Sequence, residues 1–182
     1  MFIHLGKIFT PLLKMFILSS VLPLLFCGCT DGWAKDKQLV RVVKVIDGDS
    51  VLAVEPASDK KIEIRLWGID APEWNQPYSK KARKYLASKV LGKKIVLGEK
   101  GYDRYHRLLA ILYDAGSRQS INHLLVENGM AWVYTKYCQE KICRSWTSSE
   151  SKARKKGLGL WRDKSPIAPW KWRRAKHNRK KR

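Results

Sequence analysis

Three consecutive alternating runs restrict the fold most. Gln38–Ile46 (QLVRVVKVI) and Ser50–Glu55 (SVLAVE) flank Asp47-Gly48-Asp49, and Lys61–Trp67 (KIEIRLW) follows after a short polar link. An Asp-Gly turn between two period-2 runs is a strong hairpin signal. In the third run Ile62, Ile64 and Leu66 share one face, while Lys61, Glu63, Arg65 and Trp67 share the other. Arg65 therefore projects from the polar side of a strand and not into a core.

The remainder alternates helix and strand patterns. NQPYSKKARKYLASKVLG predicts a helix that starts at Asn75 or Gln76 ahead of Pro77 and stops at Gly92, with Ala82, Tyr85, Leu86, Lys89 and Val90 inward. KKIVLGE and RLLAILYD return to strand, joined by the polar loop KGYDRYH. SINHLLVENG predicts a short helix that buries Ile121, Leu124 and Leu125. TSSESKARKKG carries a capping-box pattern from Thr147 to Glu150, which predicts a helix beginning there. About five strands and three helices in this order suit an α+β domain built on a small β-barrel.

At 182 residues the chain holds one well-packed domain with extensions. A hydrophobic fraction of 45% and eight tryptophans exclude a disordered basic protein. The formal charge of +21 points to a polyanionic partner, nucleic acid first, then anionic lipid or polysaccharide.

Against that charge, residues 47–73 form an acidic island. Asp47, Asp49, Glu55, Asp59, Glu63, Asp70 and Glu73 are seven of the sixteen acids, facing only Lys60, Lys61 and Arg65. A local group of carboxylates in a basic field suggests a cation site beside an anion-binding surface; hard divalent cations take oxygen ligands of this kind. Taken singly the residues are ambiguous. Asp47 and Asp49 also suit a turn, and Arg65 also suits a cross-strand pair with Glu63 or Glu55. Arg65 and Arg107 together match the charge that gathers on the nonbridging oxygens of a phosphodiester under attack.

The joint arrangement is more specific. VIDGDSV, then RLWGIDAPE, then DRYHRLLA, in that order and spacing, resembles the staphylococcal (micrococcal) nuclease family from about Val40 to Trp161. The resemblance implies an OB-fold five-stranded β-barrel with three helices and Ca²⁺-dependent hydrolysis of DNA and RNA. Cleavage at P–O5′ would leave 3′-phosphate ends, with exposed or single-stranded regions preferred. By position, Asp49 and Asp70 match the calcium carboxylates and Ala71 the residue whose backbone carbonyl is a ligand. Glu73 matches the glutamate described as general base, and Arg65 and Arg107 match the phosphate-binding arginines. Arg104 and Tyr105, with Tyr134 and Tyr137, fall where the family lines its nucleotide groove. The alternative is a catalytically silent OB domain that only binds nucleic acid, although such domains usually lose the paired arginines and carboxylates that stand here.

Residues 1–29 read as a secretory signal, an apolar run from Met15 to Phe26 followed by FCGC. This resembles a bacterial lipobox ending at Cys29, which leaves lipid anchoring, plain secretion and an uncleaved anchor open. Residues 30–37 are a linker, 38–163 the domain and 164–182 a basic tail. The tail is either solvated charge or a tether for nucleic acid, and its Trp170 and Trp172 either pack on the domain or stack on bases. Cys138 and Cys143 are separated by four residues. Zinc would need two further ligands, and His106, His123 and His177 show no ligand spacing, so a disulfide in an oxidising compartment is favoured. A monomer is expected.

Overall fold

The computed structural model describes residues 38–181; the signal segment, Cys29 and the linker lie outside them. Strands β1 (Leu39–Val45), β2 (Ser50–Val54), β3 (Lys61–Leu66), β5 (Lys94–Tyr102) and β6 (Leu108–Asp114) close into a barrel in the order β1-β2-β3-β6-β5. All pairings are antiparallel except β3 with β6, where Arg65 stands opposite Leu109. The alternating runs dictate this arrangement. Val40, Val42, Val51, Ala53, Ile64, Leu66, Ile95, Leu97, Ala110 and Leu112 are essentially inaccessible and fill the interior, so each strand keeps its polar side for the outside. This is the OB-fold α+β architecture expected from the sequence.

Helices α1 (Ser79–Val90) and α2 (Ile121–Glu127) extend the core through Ala82, Leu86, Val90, Ile121 and Leu125. Tyr85 and Lys89 of the expected stripe are only half-buried, with the Lys89 ammonium over the Tyr85 ring. Helix α1 also starts later than Asn75 or Gln76, at Ser79, behind Tyr78 in a left-handed conformation (φ 69°). Gln76 is engaged elsewhere: its side chain accepts from Glu73 N–H and donates to Ile167 O.

Helix α3 (Lys141–Lys155) corrects the capping-box expectation, because it begins six residues before Thr147. Thr147 Oγ1 donates to Cys143 O within the helix at 3.0 Å, the back-bonding open to a mid-helix threonine. Glu150 is buried and accepts from Val133 N–H at 2.7 Å, with Arg154 on its other oxygen. The expected Cys138–Cys143 disulfide is formed and ties the first turn of this helix to the loop before it.

Four elements escaped the periodicity, among them a fourth helix beyond the three expected. Strands β4 (Ile69–Asp70) and β7 (Trp132–Val133) make a two-stranded sheet that pairs Asp70 with Trp132. A 3₁₀ turn (Gly159–Arg162) then leads into α4 (Pro169–Lys180), with Pro169 at the first helical position. The turn crosses the end of α2 at backbone contact. Leu160 N–H donates to Gly129 O at 2.8 Å, and a Cβ on Gly159 would lie 2.1 Å from that oxygen. Only glycine permits the crossing.

Candidate active site

The Asp47-Gly48-Asp49 turn and the β3–β4 corner converge on the outer face of the barrel. Asp47 Oδ1 accepts from Asp49 N–H at 2.9 Å, which shapes the turn. Asp49 Oδ2 in turn accepts from Ala71 N–H at 2.6 Å, across 22 residues of sequence. Gly48 allows this approach, since a Cβ there would fall 2.6 Å from the Ala71 Cβ.

Arg65 ties the two carboxylates together. Its Nη2 lies 2.9 Å from Asp49 Oδ2 and 2.9 Å from Asp70 Oδ1, while Nη1 donates to Leu66 O at 2.8 Å. The pairing with Glu63 or Glu55 is not the one formed; Glu55 is held by Ser58 and Gln38. Asp49 and Asp70 are 5% and 1% exposed. Burial pushes the Asp49 carboxyl well above the usual carboxylate range. Asp47 and Asp70 act in the same direction, against Arg65 and the Ala71 N–H.

Glu73 follows β4 and stays half-exposed. Its backbone N–H is held by Gln76. Arg107 immediately precedes β6, two residues before Leu109, the register partner of Arg65, so the two arginines share the outer face. Its guanidinium and N–H both bind Asp103, whose carboxylate also accepts from Tyr105 N–H. His106 takes a left-handed conformation (φ 61°) in this loop, and its N–H closes the turn onto Asp103 O at 3.0 Å. Arg104 and Tyr105 are exposed, with the guanidinium over the ring.

Two tail residues reach the same site, and the basic composition of the tail gave no indication of it. Arg173 Nη2 donates to Asp70 Oδ2 at 2.8 Å, and Nη1 donates to Asp70 Oδ1 at 3.1 Å and also to Glu73 Oε1. Half-burial alone would lower the Arg173 pKa, but its bonds to Asp70, then Glu73, raise it above that of an ordinary guanidinium. Trp170 stacks on Tyr134 with centroids 5.0 Å apart and planes 4° from parallel, and meets Trp132 edge-on. Tyr134 is thus covered, while Tyr137 beside it remains 55% exposed. The only legible signal was Trp170 and Trp172 placed just after a helix-starting proline.

Beyond Asp47, Gly48 and Pro72 an open groove runs along α1. Lys44, Lys80, Lys81, Arg83 and Lys84 border it, and Trp74 stands 65% exposed on its wall. The surface therefore joins buried carboxylates to a cationic, aromatic-bearing approach, the combination that binds a phosphodiester backbone without reading base edges.

Comparison with known proteins agrees with this geometry. The model for staphylococcal nuclease homologues matches residues 63–163. The chain belongs to the staphylococcal nuclease family. It is 40% identical over 141 residues to a Haemophilus influenzae protein described as an uncharacterized endonuclease, covering 78% of this chain and 76% of that one. It is 37% identical over 144 residues to a micrococcal nuclease of Shigella flexneri, covering 75% and 81%. An Escherichia coli O157:H7 protein, also described as an uncharacterized endonuclease, shares 37% over 136 residues, covering 75% and 85%.

The donor set fits the calcium associated with this family. No three His, Cys, Asp or Glu side chains cluster as a metal centre among the described residues. What is present is two buried carboxylates bridged by one guanidinium nitrogen, beside the backbone of Ala71. Two hard oxygen donors, a carbonyl and water suffice for a cation that tolerates irregular coordination.

Proposed function

We propose that this protein is an exported nuclease that hydrolyses DNA and RNA with calcium, cutting P–O5′ to leave 3′-phosphate ends. The observation that carries the reading is the single Arg65 nitrogen 2.9 Å from both Asp49 and Asp70, with Glu73 on the same corner. Asp49, Asp70 and the Ala71 carbonyl would hold calcium. Bound there, the ion supplies positive charge to the phosphate oxygens as negative charge develops on them.

The chain's own groups perform the remaining steps. Arg65 and Arg107 donate to the nonbridging oxygens and orient the phosphate. Glu73 is half-exposed, so water reaches it, and its carboxylate takes the proton of the attacking water. The water oxygen bonds to phosphorus while the P–O5′ bond breaks. The electron pair stays on O5′, which takes a proton from solvent water to become the 5′-hydroxyl. Arg104, Tyr105 and Tyr137 bind flanking nucleotides through backbone charge and ring stacking. Export rests on the apolar N-terminal segment and its cysteines, and incorporation of labelled lipid by wild type but not Cys29→Ala would establish the anchor.

The test is cleavage of single-stranded DNA and of RNA by the full chain, in calcium against EGTA, beside Glu73→Gln and Arg65→Ala. Calcium-dependent cutting with 3′-phosphate ends, lost in both variants, supports the proposal. Salt-sensitive binding without cutting overturns it in favour of a nucleic-acid-binding protein.

A further inference from the structure

Helix α4 lies on the site described above and engages both of its halves. The aromatic half is Tyr134, a ring matched to the nucleotide groove, and Trp170 lies flat on it. The ionic half is Asp70 with Glu73, and Arg173 holds both carboxyls at once. Trp170 and Arg173 are three residues apart, so one helical face carries both groups. A flat ring therefore sits on a stacking platform, and a cation sits on carboxylates that suit a cation.

The footing of α4 is narrow. Its entry is fixed by Gln76 Nε2 donating to Ile167 O at 2.6 Å and by buried Ala168 and Pro169. After Trp172 every residue of the helix whose exposure is described is exposed, and α4 contains six lysines and arginines and no acid. Beyond that entry the helix is held by Trp170, half-buried Trp172 and Arg173, none of which enters the barrel core, so it can lift without disturbing that core. Neither contact survives occupancy of the site. A ligand ring on Tyr134 displaces Trp170, and a divalent cation held by Asp70 competes for the two oxygens that accept from Arg173 and repels its guanidinium.

We propose that α4 is an internal competitor of the active site, with Trp170 standing in for a base and Arg173 for the metal, so that calcium and a single strand bind by displacing it. The proposal rests on the calcium nuclease reading above. Its consequence is quantitative: apparent affinity is the intrinsic affinity multiplied by the fraction of molecules with α4 lifted.

The test uses the full chain, with calcium affinity measured by titration calorimetry and oligothymidylate affinity by fluorescence anisotropy in EGTA. Arg173→Ala is expected to bind calcium about tenfold tighter than wild type, because Asp70 then keeps Arg65 as its ion-pair partner and loses the second guanidinium. Trp170→Ala is expected to bind the oligonucleotide several-fold tighter without metal. Unchanged or weaker calcium binding by Arg173→Ala overturns the proposal, as does weaker oligonucleotide binding by Trp170→Ala, which would make Trp170 a platform for substrate. Arg173 is 43% exposed, so its replacement leaves the core intact and decides the matter should Trp170→Ala fail to fold. If wild type and Arg173→Ala alike bind no calcium, the calcium reading falls by itself. The oligonucleotide arm then decides the competitor: tighter binding upholds it, equal or weaker binding overturns it.

Discussion

Gly48 and Ala71 meet so closely that a Cβ on the first would stand 2.6 Å from the Cβ of the second. That approach lets Asp49 accept from the Ala71 N–H and sets the carboxylate in line with Asp70. Gly48→Ala must push the two loops apart, with Ala82 Cβ only 3.0 Å away on another side. The expected cost is about 1–3 kcal/mol of stability. Cleavage should fall further than the melting temperature alone explains, measured well below the transition of the variant.

Arg65→Lys separates charge from geometry. The guanidinium touches Asp49, Asp70 and Leu66 O through two nitrogens, a spread that a single ammonium cannot cover. The cation is kept, so folding should change little. The fork matched to phosphate is lost, and kcat should drop about 10²-fold or more. A Lys variant near wild-type rate would remove Arg65 from transition-state binding.

Where sequence and structure agree, the reason is local. The barrel strands announce themselves because their interior and exterior alternate residue by residue, and the Asp-Gly turn needs no distant partner. The Cys138–Cys143 loop is equally short. The capping-box reading at Thr147 failed because Glu150 is claimed from outside its helix by Val133. Strands β4 and β7 are two residues each, too short to show a period, yet they bring Asp70 beside Trp132. Arg173 is separated from Asp70 by 103 residues, and nothing in a run of tail cations marks which one turns inward.

Glu150 deserves a direct test for that reason. Its carboxylate is buried, accepts Val133 N–H and pairs with Arg154. Glu150→Ala leaves a buried N–H without its partner and frees the guanidinium over Trp161. A loss of about 2–3 kcal/mol is expected from denaturant unfolding. Because Val133 is paired with Ile69 next to Asp70, hydrogen exchange at Ile69 and Val133 should accelerate beyond the global effect.

The Asp103 loop supplies the pH dependence that can be isolated. Partial burial pushes its carboxyl up, but the N–H and guanidinium of Arg107 and the N–H of Tyr105 outweigh this and hold it below the ordinary aspartate value of 3.8. A carboxylate with a lowered folded-state pKa stabilises the protein fully above the ordinary value. It loses that contribution as the pH falls through the lowered one. At neutral pH Asp103→Asn should therefore cost about 1 kcal/mol, and the gap from wild type should close as the pH drops below 3.8. Unfolding free energies of the two proteins along that pH series cancel the titration of every other group. A gap that stayed constant would mean the loop is held by its backbone turn alone, and that Arg107 does not depend on Asp103 for its place on the outer face.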